Sequence, residues 1–353
     1  MLRAGIIGCG RSGPGSGGGH SIGRAHAQAY QQIEGVELVA AADIDEGNLR
    51  QFAQEYGVGA TYRDYRAMLQ KEHLDLLSVA VWPPLHEEMV VAGAQAGVRG
   101  TMCEKPMTLS LAAADHMLAE CKEHGTLLCV NHQRRYGDPW RKAKALVASG
   151  AIGNLERVEL SCPEWDILSW GTHWIDIANF YADDAPVDWV FAQMDTSRRL
   201  ERYGHLVEND GLVEWRYASG IRALLHLGDG APPGFFNRLS GSEGMIEVHV
   251  PDQPPLRVWG RDQAGWVAPN LPQDHRRAFA ESLRLLADGV QHGTEPPNSA
   301  PAARRVMEVI MAAYESAYRR QRVELPLRET GFTLEKLVTE RTFAGNADGK
   351  KEK

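Results

Sequence analysis

The stretch Ala4-Gly5-Ile6-Ile7-Gly8-Cys9-Gly10-Arg11, resumed after a glycine-rich tract by Ile22-Gly23-Arg24-Ala25-His26-Ala27, decides how this chain folds. An apolar run ends at closely spaced glycines, and an amphipathic pattern follows. Read literally, Gly8, Gly10 and Gly13 form a G-x-G-x-x-G match, but Pro14 directly afterwards argues against a helix starting there. With Ser12 to Ser21 taken as an insertion, Gly23 becomes the third glycine and strand joins helix cleanly, which is the preferred reading. The alternative is a merely flexible glycine loop. Working outward, apolar runs recur at Ala4–Cys9, Val36–Asp43, Leu76–Trp82, Gly100–Glu104 and Leu127–Asn131, with helical patterns near 23–33, 45–57, 84–97 and 109–124. Continuous rather than alternating apolar runs are expected of strands covered on both faces. The first 131 residues therefore read as an α/β Rossmann unit with a doubly wound parallel sheet.

The rhythm changes after Asn131. Asp138-Pro139 opens a helix that Gly150 ends. Leu155–Cys162, a helix near 172–182, and strand-like runs at 187–195, 209–217, 221–228 and 244–250 follow. Tyr217-Ala218-Ser219-Gly220 and Gly241-Ser242-Glu243-Gly244 read as hairpin turns. Residues 132–343 are thus expected to form an α+β domain with a largely antiparallel sheet, with late helices near 273–289 and 299–320. Residues 344–353, small and charged, are expected to be a disordered tail.

At 353 residues the chain can bury cores in two domains. A net charge of −8 argues against a phosphate-backbone partner, which needs a dense basic face. Met1 is followed almost at once by strand, without a basic and apolar leader, and no apolar stretch is long enough to span a bilayer. The five cysteines include no C-x-x-C pair and leave no zinc or disulfide frame, so no metal is expected. These features predict a cytoplasmic protein without nucleic-acid or membrane partners.

Glycines at 8, 10 and 23 allow a tight turn and close approach of backbone to a pyrophosphate, with the helix amino terminus facing the phosphates. Arg11 and Ile22 belong to the same turn. Asp43, ending the second strand, is placed to accept ribose hydroxyls and to repel a 2′-phosphate, which favours NAD over NADP. Its alternative is a cap for the helix that follows. His20 reads as a solvated loop residue that could reach a ligand. Glu104-Lys105-Pro106 follows the fourth apolar run. A lysine fixed at a strand's carboxyl end, beside a nucleotide site, can act on a substrate held there.

Together these residues resemble the Gfo/Idh/MocA oxidoreductases, which include inositol dehydrogenases and glucose–fructose oxidoreductase. The resemblance covers nearly the whole chain. It rests on the split glycine turn, Asp43, Trp82-Pro83-Pro84-Leu85-His86, Glu104-Lys105-Pro106, Arg134-Arg135-Tyr136 and Gly171-Thr172-His173-Trp174-Ile175-Asp176, with Gly241–Gly244, Ile246-Glu247 and Val323–Pro326 later. It implies that Lys105 is the active-site lysine, that Glu104 and Pro106 shape the turn around a cis bond, and that Trp82, Pro83 and His86 line the nicotinamide half of the cofactor site. It further implies that His173 is the acid–base, and that the second domain closes the active site and makes the contact of a homo-oligomer, a dimer or tetramer. One departure matters: where the family's dehydrogenases often carry Asp four residues before the histidine, this chain has Ser169. Asp176, one helical turn beyond His173, and Asp166 are the candidate replacements.

Oxidising a secondary alcohol needs a hydride acceptor, a base, and positive charge near the developing alkoxide. An imidazole titrates near neutrality and suits the base. A fixed ammonium suits the electrostatic role and can relay a proton. His173 among tryptophans could equally be a packed core residue, and Asp176 a capping or salt-bridging one. Arg135 and Tyr136, after the last parallel strand, are expected at the substrate, against the alternative of an interdomain salt bridge. Trp82 is expected on the cofactor, while His86 reads as more structural than catalytic. Trp165, Trp170, Trp174 and Tyr136 suit stacking on a sugar face, so a small carbohydrate or cyclic polyol is the expected partner. Two readings compete with a dehydrogenase: a redox-assisted lyase or glycosidase with transient C3 oxidation, in which free NADH does not accumulate, and a non-enzymatic cofactor sensor of the same fold.

Overall fold

A computed structural model describes residues 1–10, 21–261, 263–271 and 275–348. The chain divides into two compact units: Met1–Tyr136 with Asp274–Arg304, and Gly137–Gln273 with Arg305–Lys353.

The first unit holds a six-stranded sheet in the order β3-β2-β1-β4-β5-β6. Its strands are β1 (Leu2–Ile7), β2 (Val36–Ala42), β3 (Ala60–Tyr62), β4 (Leu76–Val79), β5 (Gly100–Cys103) and β6 (Leu127–Val130). All neighbours pair in parallel. The connecting helices are α1 (Ile22–Tyr30), α2 (Glu46–Tyr56), α3 (Tyr65–Lys71), α4 (His86–Gln95) and α5 (Leu111–Glu123). The expected strands are all present, and β4 and β5 are buried along their whole length, as their apolar runs require. Local chemistry sets the helix ends. Asp45 accepts the amide of Asn48 and Ser110 that of Ala113, while Gly57, at φ 69°, ends α2. Strand order reverses between β1 and β4, which places a ligand crevice beyond their carboxyl ends.

The second unit holds α6 (Asp138–Ala148) and α7 (Thr172–Tyr181) on a mixed eight-stranded sheet ordered β15-β14-β13-β7-β12-β11-β8-β16. Its strands are β7 (Leu155–Pro163), β8 (Val187–Asp195), β11 (Asp210–Tyr217), β12 (Arg222–Gly228), β13 (Asn237–Gly241), β14 (Gly244–Val248), β15 (Leu256–Trp259) and β16 (Val323–Glu324). A separate ribbon pairs β9 (Leu200–Arg202) with β10 (His205–Val207). The expected turns join β11 to β12 and β13 to β14. Only β7 and β12 pair in parallel within this sheet, among the described residues. Buried and accessible residues alternate along β11, as on a sheet covered on one face.

The sequence-based boundary needs correction on two points. The first unit extends to Tyr136, and α8 (His275–His292) returns to it from late in the chain. Leu283, Leu286 and Ala287 join the core formed by Leu2, Ala4, Ile6 and Leu76. A Cβ on Gly100 would meet Val290 Cγ2 at 2.4 Å, so glycine in β5 is what lets α8 approach. Periodicity shows that α8 has an apolar face but not which sheet that face covers. The division between units then falls inside α9 (Ala300–Arg319). At the end of the chain, α10 (Thr333–Asp348) runs into the segment expected to be a tail, of which residues 349–353 lie outside the described residues. No helix among the described residues is long and apolar enough to cross a membrane.

Candidate active site

In the first unit the glycine turn has the geometry its sequence predicts. Gly8 and Gly10 have φ of 95° and 67°, in the left-handed region that suits glycine. A Cβ on Gly23 would lie 1.9 Å from the Gly8 carbonyl oxygen, so α1 begins in direct contact with the turn. Ile22 opens that helix. Arg11, His20 and the insertion up to residue 20 lie outside the described residues.

Asp43 follows β2 and is tied into this turn. Its Oδ2 accepts the Cys9 amide at 2.8 Å and its Oδ1 the Asp45 amide at 2.8 Å. Asp45, not Asp43, caps α2, which removes the alternative reading of Asp43. Beside it lies a cavity of about 130 Å³ lined by Ile7, Gly8, Ala42, Asp43, Arg63 and Tyr65 among others. Its mostly apolar walls with one carboxylate suit a flat heteroaromatic ring joined to a ribose. Glycines that leave no room for a side chain, a helix amino terminus and a carboxylate at the next strand end fit a dinucleotide.

Trp82 follows β4 and is 47% exposed, with a single helical turn, Pro83–Leu85, after it. His86 is different. It is fully buried, with Nε2 3.1 Å from the Val81 carbonyl and Nδ1 3.0 Å from that of Pro106. Burial lowers its pKa despite those carbonyls. His86 braces the turns after β4 and β5 and presents neither nitrogen to a cofactor, a correction to its expected place in the site.

Glu104 and Lys105 follow β5, and the Lys105–Pro106 bond is cis, as the resemblance implied. Lys105 is half-buried, while Glu104 is buried beneath it. Glu104 Oε1 receives His26 Nε2 at 2.9 Å and Asn131 Nδ2 at 2.7 Å, and Oε2 the Lys105 amide at 3.3 Å. Burial pushes this carboxyl up, but His26 by hydrogen bond and charge, Lys105 by charge and Asn131 by hydrogen bond outweigh it and hold the pKa below the ordinary range. Arg135 and Tyr136 are buried too. Tyr136 donates to Asn298 Oδ1 at 2.7 Å and Arg135 reaches the Pro297 carbonyl at 3.4 Å. These bonds hold the segment that follows α8, a return that was invisible in the sequence.

In the second unit a π-helical turn, Ile167–Gly171, leads into α7 and carries His173 into its first turn. Two buried carboxylates brace it. Asp166 Oδ1 accepts the Ser169 amide at 2.7 Å, and Glu208 Oε1 accepts the Ile167 amide at 2.6 Å. Tyr314 donates to Glu208 Oε2 at 2.9 Å. Burial first, then the neighbouring Asp166, raises the Glu208 pKa to about 7. Asp166 thus caps the turn through Oδ1. His173, 3% exposed, stacks edge-on at 5.7 Å from Trp170, which also meets Trp165 and Phe235. Asp176 is buried one turn further along α7. Trp174 donates to the Ser161 carbonyl at 2.6 Å and is buried in the core, so it leaves the group of sugar-stacking candidates. Glu208 and His26 were both missed. Each is a single polar residue inside an apolar pattern, and only a partner distant in sequence gives it meaning.

Comparison with known proteins follows the same division. Residues 2–132 match a family model described as an oxidoreductase family with an NAD-binding Rossmann fold, and residues 140–247 match the GFO/IDH/MocA C-terminal domain. The chain is 36% identical to D-apiose dehydrogenase of Paraburkholderia graminis, over 92% of this chain and 90% of that protein. It is 26% identical to myo-inositol 2-dehydrogenase of Thermotoga maritima, over 92% and 98%. Among solved structures, levoglucosan dehydrogenase in complex with NADH and levoglucosan superposes with a TM-score of 0.79 at 19% identity, covering 92% of this chain and 99% of the other.

Proposed function

Since the chain belongs to the Gfo/Idh/MocA oxidoreductases, we propose that it oxidises a secondary ring hydroxyl of a free sugar or cyclic polyol, with Lys105 as the electrostatic group and His173 as the acid–base. It is an NAD-binding oxidoreductase of the sugar and inositol dehydrogenase type, acting on CH–OH groups. One observation carries the residue assignment. Lys105 leaves β5 at the same carboxyl edge of the sheet as the glycine turn leaves β1, with only β4 between the two strands.

Bound at the glycine turn, the nicotinamide would accept the hydride. Gly8, Gly10, Gly23 and the amino terminus of α1 would hold its phosphates, and Asp43 its ribose hydroxyls. The reading favours NAD over NADP because Asp43 would meet the ribose hydroxyls and Arg63, in the same cavity wall, pairs with Glu46 at 3.1 Å. Lys105 supplies positive charge to the developing alkoxide. His173 takes the hydroxyl proton, with Trp170 setting the plane of its ring and Asp176 in reach along the helix face. The names of the two relatives suggest an aldose first and an inositol second. A homo-oligomer, dimer or tetramer, accords with this reading.

The test follows NADH absorbance with NAD or NADP against D-apiose, related aldoses, inositols and glycosides. NADH growth with NAD and one such class is expected, with kcat falling about 10²- to 10³-fold in Lys105→Met, the usual loss for removing one electrostatic group. A flat trace with glycoside cleavage would replace this reading with the redox-assisted lyase. A Lys105→Met enzyme as fast as its parent would remove the lysine from the mechanism.

A further inference from the structure

Behind Lys105 the first unit encloses a chain of buried polar side chains running between distant parts of the sequence. Tyr30 Oη lies 2.8 Å from Ser78 Oγ, which lies 2.9 Å from His26 Nδ1, and His26 Nε2 lies 2.9 Å from Glu104 Oε1. On the far side, Asn131 donates to the same Oε1, while its own Oδ1 accepts Ser282 Oγ at 3.2 Å. Asn298 Nδ2 reaches Ser282 Oγ at 3.0 Å, and Tyr136 donates to Asn298 Oδ1. Tyr30, His26, Ser78, Asn131, Ser282 and Asn298 are all buried.

The donors have a direction. A carboxylate only accepts, so His26 carries its proton on Nε2. The other ring nitrogen, Nδ1, shares a hydrogen bond with Ser78, whose oxygen shares one with Tyr30. From the other side Tyr136 donates to Asn298, Asn298 to Ser282, Ser282 to Asn131, and Asn131 to Glu104. Both arms therefore point at a single carboxylate, one residue from Lys105. The other titratable groups near it are the Cys103 thiol, pushed up by burial, and His86, which is held at backbone carbonyls. Phe279 closes the open side of His26, its ring edge-on at 5.0 Å. A buried charge is costly unless it is paired and hydrogen-bonded. Such a charge is weak evidence of a purely structural role, since well-packed apolar residues often replace buried charged groups without loss of stability.

We propose that His26 is a positioning residue of the reaction: it keeps Glu104 ionised and fixed, and through it sets the charge and place of the Lys105 ammonium. This rests on the reading of Lys105 given above. Without the His26 donor the buried carboxyl takes a proton or turns away, and Lys105 loses the negative neighbour that favours its ammonium form.

The test compares His26→Leu, which removes the donor, with His26→Gln, whose amide nitrogen can occupy the place of Nε2. Ser78→Ala, a smaller change, removes only the hydroxyl that orients the ring. In the cofactor-free full chain, acetic anhydride labelling of Lys105 is followed across pH by mass spectrometry. Loss of the neighbouring negative charge should raise its reactive amine fraction about tenfold at a fixed pH in His26→Leu, equivalent to one unit of its titration midpoint. His26→Gln should recover most of that change and Ser78→Ala should lie between. With NAD and whichever of D-apiose or myo-inositol the parent oxidises, kcat should fall about tenfold in His26→Leu with KM within about twofold. Labelling in His26→Leu and Ser78→Ala indistinguishable from the parent would overturn the proposal. So would equal labelling and equal loss of melting temperature in His26→Leu and His26→Gln. Full activity in Lys105→Met would instead overturn the lysine's catalytic role, while the labelling result would still decide whether His26 governs that amine.

Discussion

Two aspartates two residues apart divide the work at the end of β2. Asp45 caps α2, which leaves the Asp43 carboxylate to anchor the glycine turn through the Cys9 amide and to face the neighbouring cavity. Asp43→Asn keeps an acceptor for Cys9 but removes the charge. The ratio of NADP to NAD affinity is therefore expected to rise about tenfold, the worth of one close charge, as read by calorimetric titration. Gly23→Ala places a methyl where Gly8 oxygen already lies, 1.9 Å from the new atom. Because that obstacle is backbone, the turn must open, and NAD binding should weaken at least tenfold while a folded second unit remains visible by circular dichroism. At this scale the sequence was most legible where backbone sterics dictate identity, as at Gly8, Gly10 and Gly23. It was least legible for His26 and Tyr136, whose buried partners lie far away in the chain.

The turn from Ile167 to Gly171 shows how an element carries a pH response. Glu208 holds its first amide while buried beside Asp166, and its pKa rises from 4.5 to about 7. A carboxyl raised on folding binds its proton more tightly in the native state, so its contribution favours folding at acid pH and is lost as pH rises through the folded value. Between pH 6 and 8 the parent should lose melting temperature, and Glu208→Gln, which cannot ionise, should lose less. A flat difference across that range would show that Glu208 does not titrate there. Strands and helices were legible in proportion to their length and regularity: β1, β2, β4, β5 and β6 from apolar runs, α2 and α5 from helical patterns. The three-residue β3 is too short to leave a pattern, and a π-helical turn has no sequence period to detect. Glu104 and Asp166 were singled out beside Lys105 and His173, but Glu208 was not, since a lone glutamate within a mixed segment reads as surface.

Across the whole molecule, the dinucleotide unit is not one continuous stretch. Residues 1–136 contain all six strands of its sheet, yet α8 covers part of its core with Leu283, Leu286 and Ala287. Expressed alone, 1–136 should bind a hydrophobic dye and melt without cooperativity. A version carrying 274–304 on a flexible linker should melt cooperatively and bind NAD. Burying those side chains contributes roughly 1.5–3 kcal/mol for each leucine, a large part of the stability of a domain this size.

The late arrival of α8 also orders events during synthesis. The sheet of the first unit leaves the ribosome with part of one apolar face still bare, and His275–His292 follows only after most of the second unit has been translated. At the usual elongation rate of about 5–20 residues per second that interval lasts several seconds or more, long compared with the collapse of a chain and long enough for chaperone capture. Seven of the eight strands of the later-made sheet are thus translated before the helix that completes the earlier unit, and affinity for the cofactor is expected to appear only once α8 has emerged.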